Sequence, residues 1–197
     1  MMPAARLRWA LAPLRRCPLT SPPTRPLSTS AAAPTVGTPA PTRTPIRSEY
    51  PFWRPIQLRW DDHDTFGHLN NVQFYSLMDT TIAQFILHRS QNDMRLGAGD
   101  GGLPATVPFV VQSSCSFRAP LCFPTVAHVG IRVAELGTSS VTYDTAIFDG
   151  GRIEAEGVEA VAAAAVGSYT HVWVSSATQR PVPMSDDLRE AYESIMA

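Results

Sequence analysis

Across residues 70–88 the apolar side chains Val72, Tyr75, Met78, Ile82, Phe85 and Ile86 recur at intervals of three and four, which predicts a long helix with one buried face. Beyond Pro104 the period shortens towards two. Runs rich in β-branched residues at 107–117, 125–136 and 139–148 read as strands, and Leu136-Gly137-Thr138 and Asp149-Gly150-Gly151 punctuate them as tight turns, so antiparallel neighbours are expected. Residues 158–174 close the series, ambiguous between helix and strand at their Ala-rich start and strand-like from Tyr169 to Val174. Pro181 and Pro183 stop that strand, and Ser185 is expected to cap a short last helix through Met196. A short strand at 55–60 precedes the long helix, and the polar, Gly-rich stretch 91–104 reads as a loop. The order strand, long helix, four strands is an α+β pattern with one helix against an antiparallel sheet. One helix covers such a sheet incompletely, so a sheet edge or the remaining apolar surface is expected to meet a partner subunit.

The N-terminal fifth does not share this patterning. Every charged residue before Glu49 is an arginine, and residues 1–30 are rich in Arg, Ser, Thr, Ala and Pro, the composition of an organelle transit peptide. Leu7, Leu11 and Leu14 lie at helical spacing with Arg8, Arg15 and Arg16 between them, as in a basic amphipathic helix. Arg25-Pro26-Leu27-Ser28-Thr29-Ser30 resembles the end of a mitochondrial presequence, so the mitochondrial matrix is the expected location, with a plastid or the cytoplasm as alternatives. Residues 31–54, with prolines at 34, 39, 41, 45 and 51, read as an extended linker, which leaves 55–197 as the folded domain.

Charge and cysteine content narrow the partners. From Glu49 onward nine arginines face 17 acidic residues, a balance of −8 that has the wrong sign for a phosphate backbone. Nucleic acid is therefore not expected as a partner. The longest apolar run, 158–166, is too short to cross a bilayer, so no membrane span is predicted. Cys115 and Cys122 are too few to suggest a disulfide framework, have no His-Cys ligand spacing near them, and read as buried or half-buried thiols.

The junction of first strand and helix carries the densest chemistry. Asp61-Asp62-His63-Asp64-Thr65-Phe66-Gly67-His68-Leu69-Asn70-Asn71 gathers three carboxylates, two imidazoles, a glycine and two asparagines within eleven residues. One structural reading is helix capping: Asp64 or Asn70 can satisfy free N–H groups of the first turn, and Asp61 and Asp62 are stabilised there by the helix dipole. Metal ligation by Asp62, His63, Asp64 and His68 is disfavoured, because their spacing matches no recurrent two-His helical motif and no third ligand cluster appears elsewhere. His88, His128 and His171 stand alone and read as surface or strand residues. Ser113, Ser114 and Ser116 lack a Gly-x-Ser-x-Gly elbow.

The run from Asp62 to Asn71 resembles that of the four-hydroxybenzoyl-CoA thioesterase-like hot-dog proteins, in which Asp-x-Asp-x-x-Gly-His-Val/Leu-Asn-Asn opens the central helix. Phe117-Arg118-Ala119-Pro120-Leu121, Thr170-His171-Val172-Trp173-Val174 and Arg180-Pro181-Val182-Pro183 continue the resemblance in the same order. It departs at Phe74, where the family usually has Tyr, at Phe123-Pro124, and in the longer stretch 152–166. The resemblance implies a hot-dog fold, an antiparallel sheet wrapped around one long central helix, and an acyl-CoA thioesterase assembled as a homodimer or homotetramer.

Thioester hydrolysis needs a nucleophile or base at the carbonyl carbon and a donor for the oxyanion. Asp64 matches the family's catalytic acid, as nucleophile or as general base. The Asn71 backbone N–H, at the helix start, is the expected oxyanion donor, with His68 and Asn70 orienting the carboxylate or the substrate. Gly67 is expected to let the backbone approach the thioester, and an apolar tunnel beside Phe74, Met78 and Ile82 to take the acyl chain, fatty acyl of medium or long length ahead of aromatic. No cofactor is expected, coenzyme A being part of the substrate. Alternatives are a non-catalytic acyl-CoA-binding module and a hot-dog enoyl thioester hydratase.

Overall fold

The computed structural model describes residues 44–89 and 104–197. The expected transit peptide at 1–30 and most of the loop at 91–104 lie outside the described residues. Five strands, β1 (Phe52–Gln57), β2 (Thr106–Phe117), β3 (Val126–Leu136), β4 (Ser140–Asp149) and β5 (Ala165–Ser175), form one sheet in the order β1-β3-β4-β5-β2. All four pairings are antiparallel. Helix α1 (Asn71–Arg89) joins β1 to β2, strands on opposite edges, and crosses one face of the sheet on the way. Two shorter helices complete the body, α2 (Gly150–Glu156) and α3 (Asp186–Glu193).

The helix forms where the three-four spacing predicts it, but its buried face differs from the expected one at the start: Val72 is exposed and Tyr75 half-buried, while Phe74 and Leu77 turn inward. Phe74, Leu77, Met78, Thr81, Ile82, Phe85 and Ile86 lie on its inner face. They pack on alternate residues of the sheet, Val129, Ile131 and Val133 in β3, Val141, Tyr143 and Ile147 in β4, and Ala165, Tyr169 and Trp173 in β5. Close approach of helix and sheet depends on Gly167: a Cβ there would stand 2.6 Å from the Ser114 carbonyl and 2.8 Å from the Met78 sulfur. At the far end α3 closes the core, with Tyr192 against Phe85 and its hydroxyl accepting from Tyr143 at 2.9 Å.

The opposite face of the sheet is also partly covered, which the linker reading of 31–54 did not anticipate. Ala146 and Phe148 form a second small core with Tyr50 and Ala163. Tyr50 sits on Gly130, the Ala163 N–H donates to the Pro45 carbonyl at 3.2 Å, and Ile46 bridges Ala162. The body therefore extends upstream of Pro55, and β1 begins at Phe52 rather than at 55, pairing with β3 from Phe52↔Ile131 to Gln57↔Val126.

One local reading is corrected. Asp149-Gly150-Gly151 does not make a tight turn: the Asp149 carboxylate accepts from the Gly151 and Arg152 N–H groups and caps α2. Cys115 is a free, half-buried thiol, as expected for that residue. No helix among the described residues is long and apolar enough to cross a membrane.

Candidate active site

Between β1 and α1 the chain makes a single 3-10 turn (Trp60–Asp62) and then folds back on itself before entering the helix. Asp62 anchors the entry. Its Oδ2 accepts from the Arg59 N–H at 2.7 Å, and its Oδ1 accepts from Arg59 Nε at 3.0 Å and Nη2 at 2.7 Å. Burial alone would raise the Asp62 pKa, but these bonds and the guanidinium charge outweigh it and hold it below the ordinary value. The expectation that Asp62 serves the helix dipole is thus corrected: its side chain belongs to the 3-10 turn, and only its carbonyl meets the start of α1, accepting from the Asn70 N–H at 2.9 Å.

Asp64 occupies the tip of the fold-back. Its N–H donates to the His68 carbonyl at 3.0 Å, and its carbonyl accepts from the Gly67 N–H at 3.1 Å. Its Oδ1 accepts from the Phe66 N–H at 2.8 Å, an Asx turn that orients the half-buried carboxylate. Oδ2 makes no bond to a described residue. Gly67 closes this turn at φ +78°, in the region that favours glycine. Its Cβ position meets no atom within 4 Å, so backbone conformation accounts for the glycine.

Asn70 is the N-cap of α1: its Oδ1 accepts from the Val72 N–H at 3.0 Å, and its carbonyl from Gln73 at 2.9 Å. Of the first three helical amides, that leaves the Asn71 N–H with no acceptor among the described residues. His68 is half-buried and its ring makes no hydrogen bond to a described residue. Among the described residues the loop therefore leaves one Asp64 carboxylate oxygen and the first amide of α1 without a partner.

The residues expected to line an acyl tunnel lie on the inner face of α1. Phe74, Met78 and Ile82 are 4%, 0% and 0% exposed, packed in the core rather than lining an open tunnel. The Thr145 hydroxyl donates to the Met78 sulfur at 3.1 Å, while Phe74 meets Phe117 edge-on at 5.2 Å. Apolar surface lies nearer the loop: Trp60, Phe66 and Val72 are exposed, as are Phe117 and Phe123.

Sequence reasoning missed His63. Its Nδ1 lies 3.1 Å from the Arg59 carbonyl, and its Nε2 accepts from the Phe123 N–H at 2.6 Å. The partner is 60 residues away, beyond the reach of any local motif. Among the described residues no group of three or more His, Cys, Asp or Glu side chains could hold a metal ion.

A helix laid across a five-stranded antiparallel sheet in this order, with a carboxylate loop at the helix start, defines a hot-dog domain. Residues 58–192 match the thioesterase-like superfamily, and the chain belongs to that family. Among solved structures it is similar to the PA5185 protein of Pseudomonas aeruginosa, with 35% identity, a TM-score of 0.68, and 79% of this chain and 98% of that one covered. It is also similar to a Thermus thermophilus thioesterase complexed with coenzyme A and Zn (24% identity, TM-score 0.56, 75% and 95% covered). A third is the Synechocystis 1,4-dihydroxy-2-naphthoyl-CoA thioesterase Slr0204 (16%, 0.58, 72% and 94%). The likeness to these last two is one of fold. No curated protein matches the chain by sequence.

Proposed function

We propose that the protein hydrolyses acyl-CoA thioesters to free acid and coenzyme A, with Asp64 as the reacting carboxylate. The observation that carries this reading is that Asp64 Oδ2 and the Asn71 N–H at the start of α1 both lack a partner among the described residues. Attack by Asp64 on the thioester carbonyl forms a tetrahedral oxyanion, which the Asn71 amide and helix N-terminus stabilise. Collapse expels coenzyme A thiolate and leaves a mixed anhydride that water opens; alternatively Asp64 takes a proton from water, which attacks directly. Asn70 acts through the helix, by capping it. His68, with its ring uncommitted, orients the substrate or the carboxylate.

Coenzyme A bound to the Thermus relative supports a CoA ester as substrate. For the acyl group, Phe74 and the exposed Phe117 form an apolar contact in the first turn of α1, whereas Met78 and Ile82 are reached only by a chain that displaces core packing. A second copy is expected on β2. That strand is a sheet edge, and its Phe109, Val110 and Val111 are exposed, as an isologous pair extending the sheet would require. The composition of residues 1–30 supports delivery to the mitochondrial matrix.

The test is a panel of acyl-CoAs, fatty and aromatic, incubated with the full chain while free thiol is followed. Thiol release is expected. Loss of enoyl absorbance without thiol would identify a hydratase, and binding without turnover a non-catalytic module; either contradicts the proposal.

A further inference from the structure

We propose that His63 is the positioning residue for Asp64, and that it acts only as a neutral imidazole carrying its proton on Nδ1. The inference rests on the reading of Asp64 as the reacting carboxylate. The Arg59 carbonyl, 3.1 Å from Nδ1, can only accept, so Nδ1 must donate. The Phe123 N–H, 2.6 Å from Nε2, can only donate, so Nε2 must keep its lone pair. One ring therefore ties the entry of the loop to the turn that follows β2.

That turn supports the loop at two further points: the Leu69 N–H donates to the Leu121 carbonyl at 2.8 Å, and Gln57 Nε2 donates to the Pro124 carbonyl at 2.7 Å. The Phe123 ring stands edge-on to both His63 and Trp60. His63 itself bridges Leu69 across the fold-back, one peptide bond before Asp64. The backbone of the carboxylate is thus fixed from both sides, and the ring is the side-chain link to the turn after β2 that stands next to Asp64 in the chain.

A proton on Nε2 would set two donors against each other at the Phe123 amide, and the ring would have to leave. The charged groups near the ring are Arg59 and Asp62, paired with each other, and Asp64 itself. Residues 121–125 present no charged side chain. Nothing from that side compensates a protonated ring.

The experiment compares full-length wild type, His63→Ala and His63→Gln in acyl-CoA turnover, with ¹⁵N NMR of the His63 ring in the resting protein. His63→Ala is expected to lower kcat roughly 10- to 100-fold with KM within about threefold, the size of effect expected when a reacting group is misplaced. His63→Gln, whose Oε1 can accept from Phe123, should restore kcat to within about threefold of wild type. NMR should show the Nδ1–H tautomer. Unchanged kcat in His63→Ala, a kcat in His63→Gln as low as in His63→Ala, or an Nε2–H tautomer overturns the proposal. If wild type releases no thiol, the hydrolase reading itself falls, and the role of His63 with it; turnover that is indifferent to His63 overturns this proposal alone.

Discussion

Arg59 and Asp62 close the 3-10 turn through three hydrogen bonds, one from the arginine backbone and two from its guanidinium. Because the native Asp62 pKa is lowered from 3.8, native protein binds its proton less readily than unfolded chain does. The stabilisation is complete above that ordinary value and drains away as pH falls through the lowered one. Asp62→Asn should therefore melt at a lower temperature than wild type at neutral pH, and the gap should narrow below about pH 4. Thermal unfolding followed against pH reads this directly. A gap independent of pH would remove the charge from the account. Arg59→Ala should cost less, since its guanidinium is mostly exposed and its backbone bond survives.

His171 gives the opposite chemistry on the same side of the pH scale. It lies in β5, 4% exposed, with Tyr143 edge-on at 5.3 Å, and burial holds its pKa below the usual 6.5 despite a weaker opposing influence from Asp79. The native state resists a proton that the unfolded chain accepts. Stability is expected to begin falling as pH drops below about 6.5, until native His171 also takes up its proton. His171→Phe should flatten that portion of the stability curve. A variant curve that keeps the wild-type slope between pH 6.5 and 5 would contradict it.

Gly167→Ala tests the spacing between helix and sheet. The new methyl would meet backbone oxygen on one side and the Met78 sulfur on the other. A loss of about 1–3 kcal/mol is expected from overpacking. Denaturant unfolding with an unchanged slope gives the value.

Tyr50 tests the upstream boundary of the body. Burial pushes its hydroxyl pKa up to about 12, and its ring covers Gly130 beside Phe148. Removing residues 1–43 should leave the melting temperature close to that of the full chain, whereas removing 1–50 uncovers Ala146 and Phe148 and should lower it by several degrees. Equal melting temperatures for the two truncations would make the segment a passive linker.

These elements differ in how far the chain announces them. The central helix was legible because its apolar period recurs through most of a nineteen-residue element and is satisfied mainly by one neighbour, the sheet. The strands after it were legible from alternation and turns, to within one residue at most ends. Short-range rules failed where distant partners decide. Pro45 and Tyr50 look like linker until Ala163 and Gly130 come beneath them. Asp149-Gly150-Gly151 has turn composition, but a carboxylate free to cap two amides starts a helix there instead. Within the site, Asp64, Asn70 and Asn71 form one loop and could be read together. The core packing of Met78 and Ile82, and the bond from Phe123 to His63, arise from segments roughly 60 residues and more away. No spacing rule reaches that far.

The most direct test of the central claim is thiol release by Asp64→Asn, measured beside wild type on an acyl-CoA that wild type cleaves. Asparagine can retain the bond to the Phe66 amide while losing the nucleophilic, basic oxygen, so fold and melting temperature should hold. Turnover is predicted to fall about 10²- to 10⁴-fold. An Asp64→Asn protein that folds and releases thiol at the wild-type rate would contradict the account.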